Sequence, residues 1–129
     1  MPRTTQLSVA MENKPGQLAK IGSALARAKV NIEAISVVDS AEVGVVRLVT
    51  SSSAKASAAL KRAGMAAVQQ PVLVVKLPNE PGALAKAAAK LAAAKVNIAY
   101  AYGSAAGRGA MSTMVMAVSD IAKAARALR

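Results

Sequence analysis

The 129-residue chain contains no cysteine, histidine, tryptophan or phenylalanine, and its only aromatic residues are Tyr100 and Tyr102. Without cysteine there is no disulfide framework, thiolate nucleophile or Cys-based zinc site. Without histidine, the commonest general base and the commonest metal ligand are both missing. Acids are scarce as well. Glu12, Glu33, Asp39, Glu42, Glu80 and Asp120 are scattered, which argues against a carboxylate metal cage or a carboxylate dyad. The usual enzyme chemistries are thereby excluded: no catalytic residue, metal or cofactor is expected. No uninterrupted apolar run approaches the roughly 20 residues of a membrane-spanning helix. The first six residues lack an apolar segment with a cleavage site, so no signal peptide is read. A cytoplasmic protein without a membrane partner is expected.

What the chain does have is apolar surface and positive charge. Apolar residues make up 54%, much of it alanine, so the core must be packed from Val, Leu, Ile, Met and Ala. These side chains bury little area each, and small units built from them gain from sharing an interface. Seventeen Lys and Arg against six acids give a net charge of +11. Such a balance permits a nucleic acid or an anionic membrane as partner. The cations, however, fall in groups at helical spacing among alanines: Lys20, Arg27 and Lys29; Lys55, Lys61 and Arg62; Lys86, Lys90 and Lys95. That is the pattern of a solvated helix face. Aromatic platforms for stacking bases are nearly absent, so nucleic acid is not the expected partner and stands only as the alternative that the net charge carries.

The sequence repeats itself. Laid over one another at an offset of 66, the 30 residues from Leu7 to Ser36 and those from Leu73 to Tyr102 agree at 15 positions. Both copies carry Asn-x-Pro-Gly-x-Leu-Ala-Lys and, at equal distance, Ala-Lys-Val-Asn-Ile. This is a tandem duplication.

Each copy gives the same order of elements. A β-rich run (6–11 or 72–77) ends at the Pro-Gly turn. A helical pattern follows, with Leu18, Ile21, Leu25 and Val30, or Leu84, Ala88, Leu91 and Val96, facing a core. A β-branched strand (31–38 or 97–102), a turn region (39–44 or 103–109) and another strand (45–50 or 111–118) come next. A second helix closes each copy, at 54–63 after the serine run, or at 121–128 capped by Ser119 or Asp120. Residues 66–70 read as a fourth strand of the first copy that runs into the next unit. The fold class is therefore α+β: two ferredoxin-like βαββαβ units with antiparallel sheets, assigned to 1–70 and 71–129. The second unit reaches Arg129 with no evident final strand, so that strand is either absent or replaced by a neighbouring segment.

The repeated N-x-P-G-x-L-A turn, followed about fifteen residues later by V-N-I, resembles the ACT domain, a regulatory module that binds amino acids. The run A-K-V-N-I-A-Y-A-Y further resembles small stand-alone proteins made of two ACT domains, some labelled acetolactate-synthase-like although they lack a catalytic domain. The resemblance implies a ligand site across a domain–domain interface. It would be built from Asn13, Pro15, Gly16, Leu18, Asn31 and Ile32 in one unit, and Asn79, Pro81, Gly82, Leu84, Asn97 and Ile98 in the other. The serine-sensing domain of this family places a histidine two residues before the loop asparagine, where this chain has Met11 and Leu77.

Elementary chemistry points the same way. A Pro-Gly turn that opens a helix presents backbone N–H groups at the positive end of the macrodipole, a place for a carboxylate. Glycine allows close approach to the main chain, and proline presets φ at the helix start. An asparagine amide can meet either charge of a zwitterion. The plainer reading makes Asn13 and Asn79 turn residues that cap the helices, and Asn31 and Asn97 left-handed C-caps. Tyr100 and Tyr102 read as packing residues on one strand face, and Met111, Met114 and Met116 as core fillers. The Gly-rich stretch at 103–109 lacks the Lys-Ser/Thr of a phosphate-binding loop, although Arg108 within it could meet an anion. The expected function is a non-enzymatic sensor, dimeric, that binds a small amino acid or related metabolite and acts on a metabolic enzyme. The alternatives are a ligand-free interaction module or regulatory subunit, and a nucleic-acid-associated basic protein.

Overall fold

The computed structural model describes residues 3–12, 14–38, 43–105 and 110–129. Ten elements follow in order: β1 (Arg3–Glu12), α1 (Gln17–Arg27), β2 (Ile32–Val38), β3 (Val43–Thr50), α2 (Ser53–Arg62), β4 (Ala67–Pro78), α3 (Ala83–Ala93), β5 (Ile98–Ala105), β6 (Met111–Val118) and α4 (Ile121–Ala127). They form two compact units. The first is Thr5–Gln70; the second is Pro71–Arg129 with Arg3 and Thr4.

In the first unit the strands lie in the order β2-β3-β1-β4, where β4 contributes its opening residues. β1 and β3 pair antiparallel with Leu7 opposite Leu48 and Val9 opposite Val46. Period-2 alternation therefore sends these four side chains to one face, where they meet Ile21 and Leu25 of α1 and Leu60 of α2 in a fully buried cluster. The second unit repeats this plan. β6 lies between β4 and β5, and Leu73 and Val75 face Met116 and Met114 across an antiparallel pair. Its core adds Leu91 of α3 and Ala124 of α4. The fourth strand position of this unit, beside β4, is taken by the start of β1. The final strand that 71–129 does not itself supply thus comes from the beginning of the chain.

The helices end and begin for identifiable reasons. α1 stops at Arg27 because Lys29 takes φ 59°, and the Val30 N–H then donates back to the Leu25 carbonyl at 3.0 Å. α3 ends the same way at Lys95, φ 60°, with the Val96 N–H on the Leu91 carbonyl at 2.9 Å. This is a Schellman ending, whose apolar contact between Val30 and Leu25 lies in the core. Asn31 and Asn97 are therefore not left-handed C-caps, since the positive φ falls two residues earlier. α2 is capped by Ser52, whose Oγ accepts from the Lys55 N–H at 3.3 Å, and α4 by Asp120, whose Oδ1 accepts from the Lys123 N–H at 3.0 Å.

β4 runs unbroken from Ala67 to Pro78, so the fourth strand of the first copy continues directly into the opening strand of the second. Two expectations need correction. Gly44 belongs to β3 and Gly103 to β5 rather than to turns. A side chain at Gly103 would collide with Met114 and the Thr113 carbonyl, so glycine there permits the close strand pairing. Met116 is fully buried as a core filler and Met114 packs against the core, but Met111 is 51% exposed.

Candidate functional site

The two Pro-Gly turns adopt one geometry. Gly16 has φ 89° and Gly82 φ 87°, and each occupies the N-cap position of its helix. A non-glycine residue would be strained there. Pro15 and Pro81 accordingly precede the N-cap and do not form the first helical residue. Glycine at the N-cap offers no side chain to cap either helix from that position, and neither helix has an acid in its first turn. The first turns of α1 and α3 thus form positive helix ends with no carboxylate of their own, and the first N–H of α3, that of Ala83, donates to the Glu80 carbonyl at 3.3 Å. Space is open at both glycines, where an added Cβ would have nothing within 4 Å. Leu18 and Leu84, in the first turns, are exposed at 44% and 53%, so each open helix start has an apolar neighbour. The Asn79 N–H donates to the Ala110 carbonyl at 2.9 Å, which fixes the backbone of the second turn. Asn13 lies outside the described residues, as do Arg108 and the turn residues 39–42 and 106–109.

Asn31 and Asn97 are held by a device that the sequence reading did not find. The Asn31 N–H donates to Ser51 Oγ at 3.0 Å, and the Ser51 N–H donates to the Asn31 carbonyl at 2.9 Å. Asn97 and Ser119 exchange the same pair of bonds at 3.0 and 2.9 Å. The backbone of each asparagine is thereby pinned while its exposed carboxamide stays available. A bulge follows immediately in both strands, between Ile32 and Ala34 and between Ile98 and Tyr100. It breaks the strict alternation, with Ile32 and Ile98 packing toward the core. The pairing is hidden in the sequence because 51 and 119 are 68 apart, not 66: the second copy has one residue more in β5 than β2 has, and one more between β5 and β6 than lies between β2 and β3.

Within one unit these residues do not meet. The glycine turn opens α1 and Asn31 follows its end, with eleven helical residues between them. That length corresponds to about 16 Å at 1.5 Å per residue, too far for one small amino acid to touch both. The second unit repeats the separation across α3.

Two surface clefts lie elsewhere. One, about 300 Å³, sits between α1 and α2 with Arg27 and Arg62 over an alanine floor. The other, about 220 Å³, lies in the second unit against α3. None of the site residues that the resemblance implies lines either. Among the described residues, no group of three acids could hold a metal ion, and no helix is long and apolar enough to cross a membrane.

The comparisons agree with this architecture. Residues 3–127 match the family described as the ACT domain pair, and the chain belongs to that family. It is similar to protein BT0572 from Bacteroides thetaiotaomicron, at 33% identity and a TM-score of 0.91 over 98% of this chain and 86% of that one. It also shares its fold with the ligand-free regulatory subunit of aspartate kinase from Thermus thermophilus, at 18% identity and a TM-score of 0.74 over 100% and 94% of the two chains. The corresponding subunit from Thermus flavus aligns at 20% identity and a TM-score of 0.67, covering 96% and 89%. No curated protein matches. The chain is thus a regulatory ACT module in fold.

Proposed function

We propose that this protein is a non-enzymatic sensor that binds an amino acid or related metabolite where ACT units meet, acting as a cytoplasmic homodimer. The observation that carries the proposal is the pair of helix starts at Gly16 and Gly82, each with glycine at the N-cap, open space beside it and no acid in the first turn. A ligand carboxylate there meets the positive end of a helix that supplies no acid of its own. Because the glycine turn and the asparagine of one unit are a helix length apart, the proposal pairs the turn of one unit with Asn31 or Asn97 of another. A ligand held this way fastens units together and biases an equilibrium that a partner reads. The fold shared with aspartate kinase regulatory subunits supports a metabolic enzyme as that partner.

Titration calorimetry with the twenty proteinogenic amino acids tests the reading. Heat is expected for at least one of them with the wild-type chain and not with Asn31→Ala plus Asn97→Ala. Silence from every amino acid overturns it. A second reading, an interaction module without a small ligand, is favoured by one feature. β2, an edge strand of the first unit, exposes Ile35, Val37 and Val38 at 43–47%, and such an edge is a template for strand pairing. Isolation of a stable enzyme complex that no amino acid perturbs would favour that reading.

A further inference from the structure

The cleft of about 220 Å³ in the second unit is lined by one face of α3, by the end of β4, by Glu80 and by Leu128. The α3 residues concerned, Ala83, Lys86, Ala87 and Lys90, recur at the spacing of a single helix face. Its base is apolar, with Val75 fully buried and Ala87 4% exposed. Its rim carries the exposed side chain of Lys76, which donates to Thr113 Oγ1 at 2.6 Å, and those of three further charged residues, Glu80, Lys86 and Lys90. Among the described residues none of these three forms an ion pair, although Glu12 and Lys14 pair at 3.0 Å near the equivalent turn of the first unit.

The duplication supplies an internal control. At the offset of 66, the first copy has Ile21 where the cleft has Ala87, Ala24 where it has Lys90, and Lys14 where it has Glu80. Ile21 is fully buried and occupies the volume that an alanine leaves open. Relative to the first copy, the second has therefore emptied a core position and placed an ammonium and a carboxylate around the opening. Lys86 matches Lys20, so one cation is common to both copies.

We propose that this cleft is a binding site for a small amino dicarboxylate. Lys86 and Lys90 receive its two carboxylates, Glu80 receives its ammonium, and the methylenes lie on Ala87. With Lys76 engaged by Thr113, the remaining charges match in number and sign, two ammoniums and one carboxylate against two carboxylates and one ammonium. At about 30 Å³ per liquid water the space holds roughly seven. It is smaller than the roughly 300–1,000 Å³ of sites that take drug-sized molecules. Lysines act here as point charges at a wet rim, so binding is weak and weakens further as salt screens it. This site lies inside one unit and is lined by neither the glycines nor the asparagines of the sensor site proposed above, although Glu80 belongs to the second Pro-Gly turn.

The experiment is an NMR titration of the 15N-labelled chain with L-glutamate, and with glutarate as the analogue lacking the ammonium, at low salt. Shifts confined to 80–90 and Leu128 are expected, tighter for glutamate than for glutarate. Ala87→Ile, which installs the residue the first copy already accommodates, should abolish them. Lys90→Ala, at an exposed position that leaves the core untouched, should weaken binding about tenfold, and Glu80→Gln should remove the preference for glutamate. Asn31→Ala plus Asn97→Ala should leave all of this unchanged. Unaltered glutamate binding by Lys90→Ala, or by a folded Ala87→Ile, overturns the proposal. So does binding lost only in the asparagine variant, or no shift in this region at all.

Discussion

Lys29 and Lys95 sit at φ 59° and 60°, in the position after the helix cap that glycine fills at the end of α2, Gly64 with φ 82°. A left-handed conformation costs an L-residue about 1–2 kcal/mol, while an added glycine loses about 0.4–1 kcal/mol through its freer unfolded chain. The first effect is larger. Lys29→Gly and Lys95→Gly are each expected to raise unfolding stability by about 0.5–1 kcal/mol, measured by urea denaturation at unchanged m-value. At this scale the sequence is least legible. Asparagine tolerates positive φ better than lysine does, which drew that role to Asn31 and Asn97. The backbone is decided instead by Val30 and Val96, which must fold back on Leu25 and Leu91 to reach the core, and so the lysines bear the strain. The serine clamp on each asparagine was hidden by a two-residue slip between the copies. The cleft against α3 was hidden because its defining feature, the small side chain of Ala87, is one alanine among many.

Whole elements were far easier to read. The Pro-Gly turns and the spacing of Leu18, Ile21 and Leu25 define α1 through local rules alone, and the repeat transfers the result to α3. Ser52 and Asp120 cap their helices by short-range bonds that the residue types already announce. What local rules cannot supply is the completion of a sheet by a distant segment. Proline at 71 reads as a boundary, yet β4 continues through it. Likewise, nothing in the first residues advertises that Arg3 and Thr4 belong with a unit that starts at Pro71. The pairing makes a prediction. Removal of residues 1–4 should strip amide-exchange protection from the 71–78 part of β4 while β2 and β3 keep theirs, measured by hydrogen–deuterium exchange. Equal loss in both units would contradict the assignment of this segment to the second.

Over the whole molecule, charge is sorted by element type. α1, α2, α3 and α4 contain no Asp or Glu within their spans, while Lys20, Arg27, Lys55, Lys61, Arg62, Lys86, Lys90 and Arg126 on them are all exposed. A net charge of +11 on 129 residues repels itself. Salt shortens the screening length from about 30 Å at 0.01 M to about 10 Å at 0.1 M, so the melting temperature is expected to rise by several degrees over that interval. A flat or falling melting temperature would show that the cations are compensated. Any attachment to nucleic acid through these faces should fade over the same range.

β1 crosses the boundary between the two units at Thr4–Thr5 and β4 crosses it at Gln70–Pro71, each in mid-strand. There is consequently no loop at either crossing for a protease to nick or for a gene fusion to exploit. A stop codon placed after Gln70 would not release an intact half, because it would cut β4 in two and leave the Arg3–Thr4 end of β1 without its neighbour. Once joined in this way, the duplicated halves can diverge in sequence, as Ile21 and Ala87 have, but they must be inherited, translated and degraded as one object.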